Sequence, residues 1–294
     1  MNFEQQHLAY QNRCNKILEE KAGQLFKNDS DVSRAASYAL LGGGKRVRGV
    51  LVLAVCDLLE GNPAAAEVFA AALEMIHAFS LVHDDLPCMD DDDTRRGKPS
   101  THIAYGQANA LLAGDLLAIE AFEAIAVAKD LLPQQSVQGT GILAAAAGAR
   151  GMIYGQELDL RFEGRAADEN DIRQIQRYKT GALLRAAAQL GICAAGQTPE
   201  NNAAITKYAD SIGITFQIVD DILDVSSTDE VLGKPVGSDR EQGKSTFVSL
   251  FGLDTARGEV EQLTQEAANT LVQAYGKKSE FLCEYANNLA NRIH

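Results

Sequence analysis

The chain has 294 residues and a mass of 31.6 kDa, with 46% hydrophobic and 23% charged residues. That is ample material for a core and excludes a chain disordered throughout. Lys and Arg total 27 against 40 Asp and Glu, a formal net charge of −13, which argues against nucleic-acid binding but leaves locally basic sites open to anionic substrates.

The N-terminal MNFEQQHLAYQNRC lacks a charged-then-apolar leader, and no run of 18 uninterrupted apolar residues is present, so neither a secretory signal nor a membrane span is expected. Five scattered cysteines without a C-x-x-C pair predict a reducing, cytoplasmic setting and no disulfide framework or structural zinc. Residues 42–49, GGGKRVRG, set Lys45, Arg46 and Arg48 after three glycines. That string reads either as a helix start with surface charges or as a phosphate cradle of free amides and cations.

Helical spacing is strong over 66–83, where Phe69, Leu73, Ile76, Leu81 and Val82 fall mostly on one broad face. The helix runs into SLVHDDLPCMDDDD, residues 80–93, with Asp84, Asp85 and Asp90 to Asp93. Four consecutive aspartates repel one another unless cations neutralise them. Carboxylates at a helix C-terminus also oppose the helix dipole. A solvated acidic loop is the bland alternative, and no phasing fits an EF-hand. His77 lies two turns before Asp84 on the same face, although a single His on an apolar helix is commonly structural.

Further helices are predicted over 108–128 and 137–156. The second carries Gly148, Gly151 and Gly155, small residues suited to close helix approach. Helical spacing continues over 168–190, which holds Lys179, Thr180 and Gly181, and over 201–225, 259–275 and 279–292. A second acidic cluster, DDILD, occupies 220–224. Asp220 and Asp224 share a helix face with Gln217 one turn earlier, and Asp221 is rotated by about 100°. Two acidic helix ends facing across a bundle make an all-carboxylate site, which favours Mg²⁺ over zinc and suits substrate phosphates. Lys234 lies between Gly233 and Pro235, and Lys244 stands in GKST. A P-loop is rejected there: the spacing from Gly237 to Gly243 is wrong and no strand precedes it. No alternating strand pattern appears. The expectation is one all-α domain, 1–294, of many helices.

These strings together resemble the trans-isoprenyl diphosphate synthase family, nearest its bacterial farnesyl diphosphate synthases and their geranylgeranyl relatives. The resemblance covers nearly the whole chain. It rests on GGGKRVR, EMIHAFSLVHDD, the Asp84–Asp85…Asp90 motif with two inserted residues, RRGKP, GDLLAIEAF, GMIYGQELDL, YKTGAL, FQIVDDILD and GKST. Val248 departs from it, since relatives often carry proline after GKSTF. The resemblance implies a single-domain helical bundle around a central cavity. It implies a Mg²⁺-dependent transferase condensing dimethylallyl or geranyl diphosphate with isopentenyl diphosphate, mainly to farnesyl diphosphate, with a geranylgeranyl product as the alternative.

By matching positions, Asp84 and Asp90 would bind Mg²⁺ with Asp85 alongside, and Asp220 would complete the site with Asp221 and Asp224 in support. Arg95, Lys179 and Lys234 would hold the allylic diphosphate. Lys45, Arg48, His77 and Arg96 would hold isopentenyl diphosphate. Thr180 and Gln217 would line the carbocation. Phe79 and Ser80, five and four residues before Asp84, lie about 7.5 Å and 6 Å below it along a helix and would set the pocket floor and the product length. A homodimer through 106–126, GQANALLAGDLLAIEAFEAIA, is implied as well. A terpene cyclase, a regulatory subunit and a plain helical scaffold are the rivals. DDILD and GGGKR argue against the first, and the intact acidic ligands against the second.

Overall fold

The computed structural model describes residues 1–27, 29–226 and 244–291. Three N-terminal helices run over Phe3–Leu25 (α1), Asp31–Leu41 (α2) and Val47–Leu58 (α3). The sequence reading assigned none of these. α1 has few buried residues over 23 positions, so its apolar stripe is thin. α3 is apolar on every side because it is buried on every side, and a helix buried all round shows no period.

α4, Pro63–Asp84, matches the prediction. Asn62 accepts from the Ala64 amide at 3.0 Å and Pro63 stands in the first turn, a combination that starts a helix without orphaned donors. This helix has the length and composition to cross a membrane, although Glu67, Glu74 and His77 interrupt its apolar run. Here it lies inside the protein, covered by α3, by α6 (Gln107–Ala126) and by α10 (Ala182–Ala194). A short hairpin, β1 Thr94–Arg95 with β2 Lys98–Pro99, and α5, Thr101–Tyr105, connect α4 to α6.

The helix predicted over 137–156 is two helices, α7 Pro133–Ala147 and α8 Met152–Phe162. Gly148 takes extended backbone and Gly151 another non-helical conformation between them, so two of the three glycines break the helix. Gly155 alone serves close approach: a Cβ there would overlap the Lys179 backbone. The run predicted over 168–190 begins at the Asp168 cap as α9, Glu169–Ile175. It then widens into a π-turn, Gln176–Gly181, before α10.

α11, Ala203–Ser226, packs on α10 and on α13, Leu253–Tyr275. A one-turn α12, Phe247–Phe251, precedes α13, and α14, Glu280–Ala290, follows it. One core cluster joins α1, α3, α4, α6 and α10. A second gathers Ile218, Val219 and Ile222 of α11 with Phe247 and Val260. The acidic ends of α4 and α11 both open on one cavity between these layers. All five cysteines are free thiols.

Candidate active site

The cavity has a volume of about 1030 Å³. Asp84, Asp90 and Asp92 line it from the end of α4 and the following loop, and Asp220 and Asp221 line it from α11. Among the described residues no three His, Cys, Asp or Glu side chains converge as a ready metal cluster. The reason lies in the cations set between the carboxylates. Arg95 bridges Asp85 and Asp92, the latter at 2.9 Å. Lys244 Nζ stands 3.2 Å from Asp90 and 3.7 Å from Asp159. Lys179 Nζ donates to Asp159 at 2.5 Å.

Burial pushes the Asp84 carboxyl up to about 6, with Asp90 and Asp85 adding to the shift while Lys179 and Arg95 oppose it. Asp85, 2% exposed, is likewise raised by burial against the pull of Arg95. Burial would lower the Lys179 ammonium, but Asp159, Asp84 and Asp90 outweigh it and hold the proton. Oxygen donors from two helices facing one space fit a hard divalent cation that keeps waters and takes phosphate oxygens as further ligands.

The π-turn sets Lys179 and Thr180 on the cavity wall, because its extra residue rotates the helix where α8 leans on it through Gly155. Thr180 Oγ1 donates to Gln217 Oε1 at 2.6 Å, and Gln217 Nε2 donates to Asp221 at 3.1 Å. Asp221 also accepts from the Phe247 amide at 2.9 Å, which ties α12 to the site. Asp224 is buried beneath this chain and does not line the cavity.

On the opposite wall Arg48 donates from Nη1 to His77 Nε2 at 3.2 Å. Arg is donor only, so the His77 proton sits on Nδ1. Burial, then Arg48, Arg96, Arg46 and Arg95, push His77 well below its ordinary value, so it is neutral. His77 Nδ1 and Arg48 Nε are buried without partners, as are Gln156 Nε2 and both amide atoms of Gln176. All four side chains line the cavity. Buried polar atoms are normally satisfied, so this set suits a polar ligand.

Two expected contacts differ from their predicted setting. Lys45 lies exposed on the glycine loop, outside the cavity wall. Arg96 donates to the Gly43 carbonyl and lies against Gly44, where a Cβ would strike the guanidinium. It too is outside the cavity. Arg46 is a structural residue, buried on Leu40 O and Asn15. Lys234 lies outside the described residues.

Sequence reading gave no role to Asp159 or Glu74. Asp159 stands inside GMIYGQELDL, a string that carried the resemblance, and its acidic class was the available signal. Glu74 is 2% exposed, accepts from the Gly49 amide at 2.8 Å and faces Arg46 at 3.7 Å. Phe79 and Ser80 line the cavity with Leu111, Ala118, Leu183 and Phe216.

A polyprenyl synthetase family model matches residues 29–284. Geranylgeranyl pyrophosphate synthase 3 of Arabidopsis thaliana, chloroplastic, is 44% identical over 266 residues, 89% of this chain and 74% of that one. Farnesyl diphosphate synthase of Haemophilus influenzae is 41% identical over 272 residues, 92% of each chain. A Helicobacter pylori geranyltransferase, solved with magnesium and isoprenyl diphosphate, superposes with a TM-score of 0.83 at 32% identity over 98% of this chain and 97% of that one. The chain belongs to the polyprenyl synthetase family and is a short-chain prenyltransferase.

Proposed function

We propose that the chain condenses dimethylallyl and then geranyl diphosphate with isopentenyl diphosphate, releasing diphosphate and giving mainly farnesyl diphosphate. The observation that carries this is one cavity that joins two acidic clusters and buried cations to an apolar wall that includes Phe79. Asp84, Asp90, Asp220 and Asp221 would hold Mg²⁺ from the cavity wall, with Asp85, which Arg95 engages off that wall, and buried Asp224 in support. When bound, Mg²⁺ neutralises and polarises the diphosphate leaving group.

Lys179 and Arg95 would add positive charge to the allylic diphosphate, and both already stand among carboxylates that keep them protonated. Arg48 and neutral His77 would bind isopentenyl diphosphate, His77 through its free Nδ1–H and Arg48 through its free Nε–H. Lys45 and Arg96 would join them by movement of the glycine loop. The Thr180–Gln217 pair offers oxygen dipoles to the allylic cation and no reactive nucleophile. The apolar wall keeps water from the cation. No side-chain base is assigned, and the released diphosphate would take the final proton.

The aromatic ring of Phe79 would stop the tail near fifteen carbons. A twenty-carbon product is the second reading, favoured by the 44% identity to a geranylgeranyl pyrophosphate synthase. The test is incubation with Mg²⁺, dimethylallyl diphosphate and isopentenyl diphosphate, followed by chromatography of the dephosphorylated products. A fifteen-carbon main product is expected, and none with EDTA. Phe79→Ala is expected to lengthen it by one or more five-carbon units. A cyclic product, or no product with Mg²⁺ present, would overturn the reading.

A further inference from the structure

We propose that His83 selects product length by bracing the Phe79 ring, which makes it a positioning residue; this rests on the reading of Phe79 as the pocket floor. Phe79 and His83 are one turn apart on α4 and both line the cavity. Their rings meet edge to face, with centroids 5.1 Å apart and planes at 83°. The imidazole is itself held from the far side. Its Nε2 lies 3.0 Å from the Leu111 carbonyl of α6, so the proton is there and is donated. Asp115 Oδ1 stands 3.8 Å from the same nitrogen.

Gly114 completes the seat: a Cβ at that position would overlap the imidazole. The ring is therefore wedged between the α6 backbone and Phe79. A phenyl side chain has several staggered χ1 wells. The imidazole edge, packed on the Phe79 ring, would limit the rotamers open to it. With that edge gone, the Phe79 ring can swing toward α6, and the floor opens without any change at Phe79 itself. The line of control runs from Leu111 and Gly114 through His83 to Phe79.

The experiment compares dephosphorylated products of wild type, His83→Ala, His83→Phe, Phe79→Ala and the Phe79→Ala/His83→Ala double variant by chromatography. His83→Ala is expected to raise the proportion of products longer than the wild-type main product at least fivefold. His83→Phe restores a ring edge and is expected to stay within twofold of wild type. The double variant is expected to make products no longer than Phe79→Ala alone, because His83 acts through that ring. An unchanged distribution in His83→Ala, an equal shift in His83→Phe, or a further lengthening in the double variant overturns the inference. A role confined to packing would lower turnover or melting temperature and leave the distribution in place. Should His83→Ala fail to fold by circular dichroism, His83→Leu, which keeps volume without a ring, carries the same expectation. If Phe79→Ala leaves product length unchanged, the floor reading itself has failed, a result distinct from a silent His83→Ala.

Discussion

Asp84 shows how a single residue links folding to the site. Its carboxyl is raised to about 6, chiefly by burial. A carboxyl whose folded value exceeds its unfolded one stabilises the fold while protonated, and that contribution is lost as pH rises through the folded value. The window therefore runs from about 4 to about 7, and the loss is roughly 3 kcal/mol at most, at about 1.4 kcal/mol per pH unit. In chelator, Asp84→Asn is expected to melt several degrees higher relative to wild type at pH 7 than at pH 4. A pH-independent difference between the two proteins would mean that folding does not shift the Asp84 carboxyl. Arg48 and Lys179 separate the two substrates by the same residue-level logic. Arg48→Ala should raise KM for isopentenyl diphosphate far more than for the allylic substrate, and Lys179→Ala should do the reverse or lower kcat. Equal effects on both Michaelis constants would contradict the assignment. Glu74 is what sequence could not supply here. An acidic residue inside an apolar helix gives no sign that its partners are a glycine amide 25 residues earlier and the neighbouring Arg46.

At the level of elements, the legible parts were those with period and caps. α4, α6 and α11 carry long apolar stripes, and the acidic strings at the ends of α4 and α11 marked the cavity before any geometry was known. What escaped had no local signature. The π-turn at Gln176–Gly181 looks like continuous helix in sequence, because one extra residue per turn leaves composition unchanged. The α7–α8 break looked like a packing stripe because glycine serves both uses. Only long-range contact separates them: Gly151 would strike its own preceding turn, whereas Gly155 meets the π-turn backbone. This yields an expectation at element scale. In Gly155→Ala the new methyl must push α8 away from Lys179, since backbone cannot swing aside. Overpacking of this kind commonly costs about 1–3 kcal/mol. The variant should also lose turnover by roughly tenfold or more, since the Lys179–Asp159 pair bridges the same two elements. Stopped-assay kcat together with thermal melts checks this. Gly258→Ala, inside α13 where a Cβ meets nothing within 4 Å, is the control: kcat should stay unchanged and the melt should rise slightly, since Ala is favoured over Gly in a helix interior by about 0.5–1 kcal/mol.

At the scale of the whole molecule, the charge balance and the exposed apolar surface point in different directions. A net charge of −13 keeps like molecules apart, yet α6 leaves Leu112 and Ile119, 50% and 67% exposed, on one face two turns apart, with Ile103 of α5 exposed beside them at 52%. A specific interface covers about 800 Å² per partner, and a two-fold assembly places the same patch on both sides. We expect a homodimer joined through α6. The site has a stake in this, because Leu111, next to Leu112 on α6, lines the cavity. The helix that would carry the interface is thus also a cavity wall and the seat of His83. Separating the subunits should therefore disturb catalysis even though the interface residues touch neither acidic cluster. Leu112→Asp/Ile119→Asp sets two buried charges against two more across the two-fold axis. It is expected to convert the protein to a folded monomer by light scattering at micromolar concentration, with helical circular dichroism retained. Its activity should fall and its product distribution should broaden toward longer chains, because an α6 without support no longer holds His83 against Phe79. Wild-type protein that scatters as a monomer would remove the dimer. A monomeric variant with wild-type product lengths would show that the α6 wall holds its shape unaided.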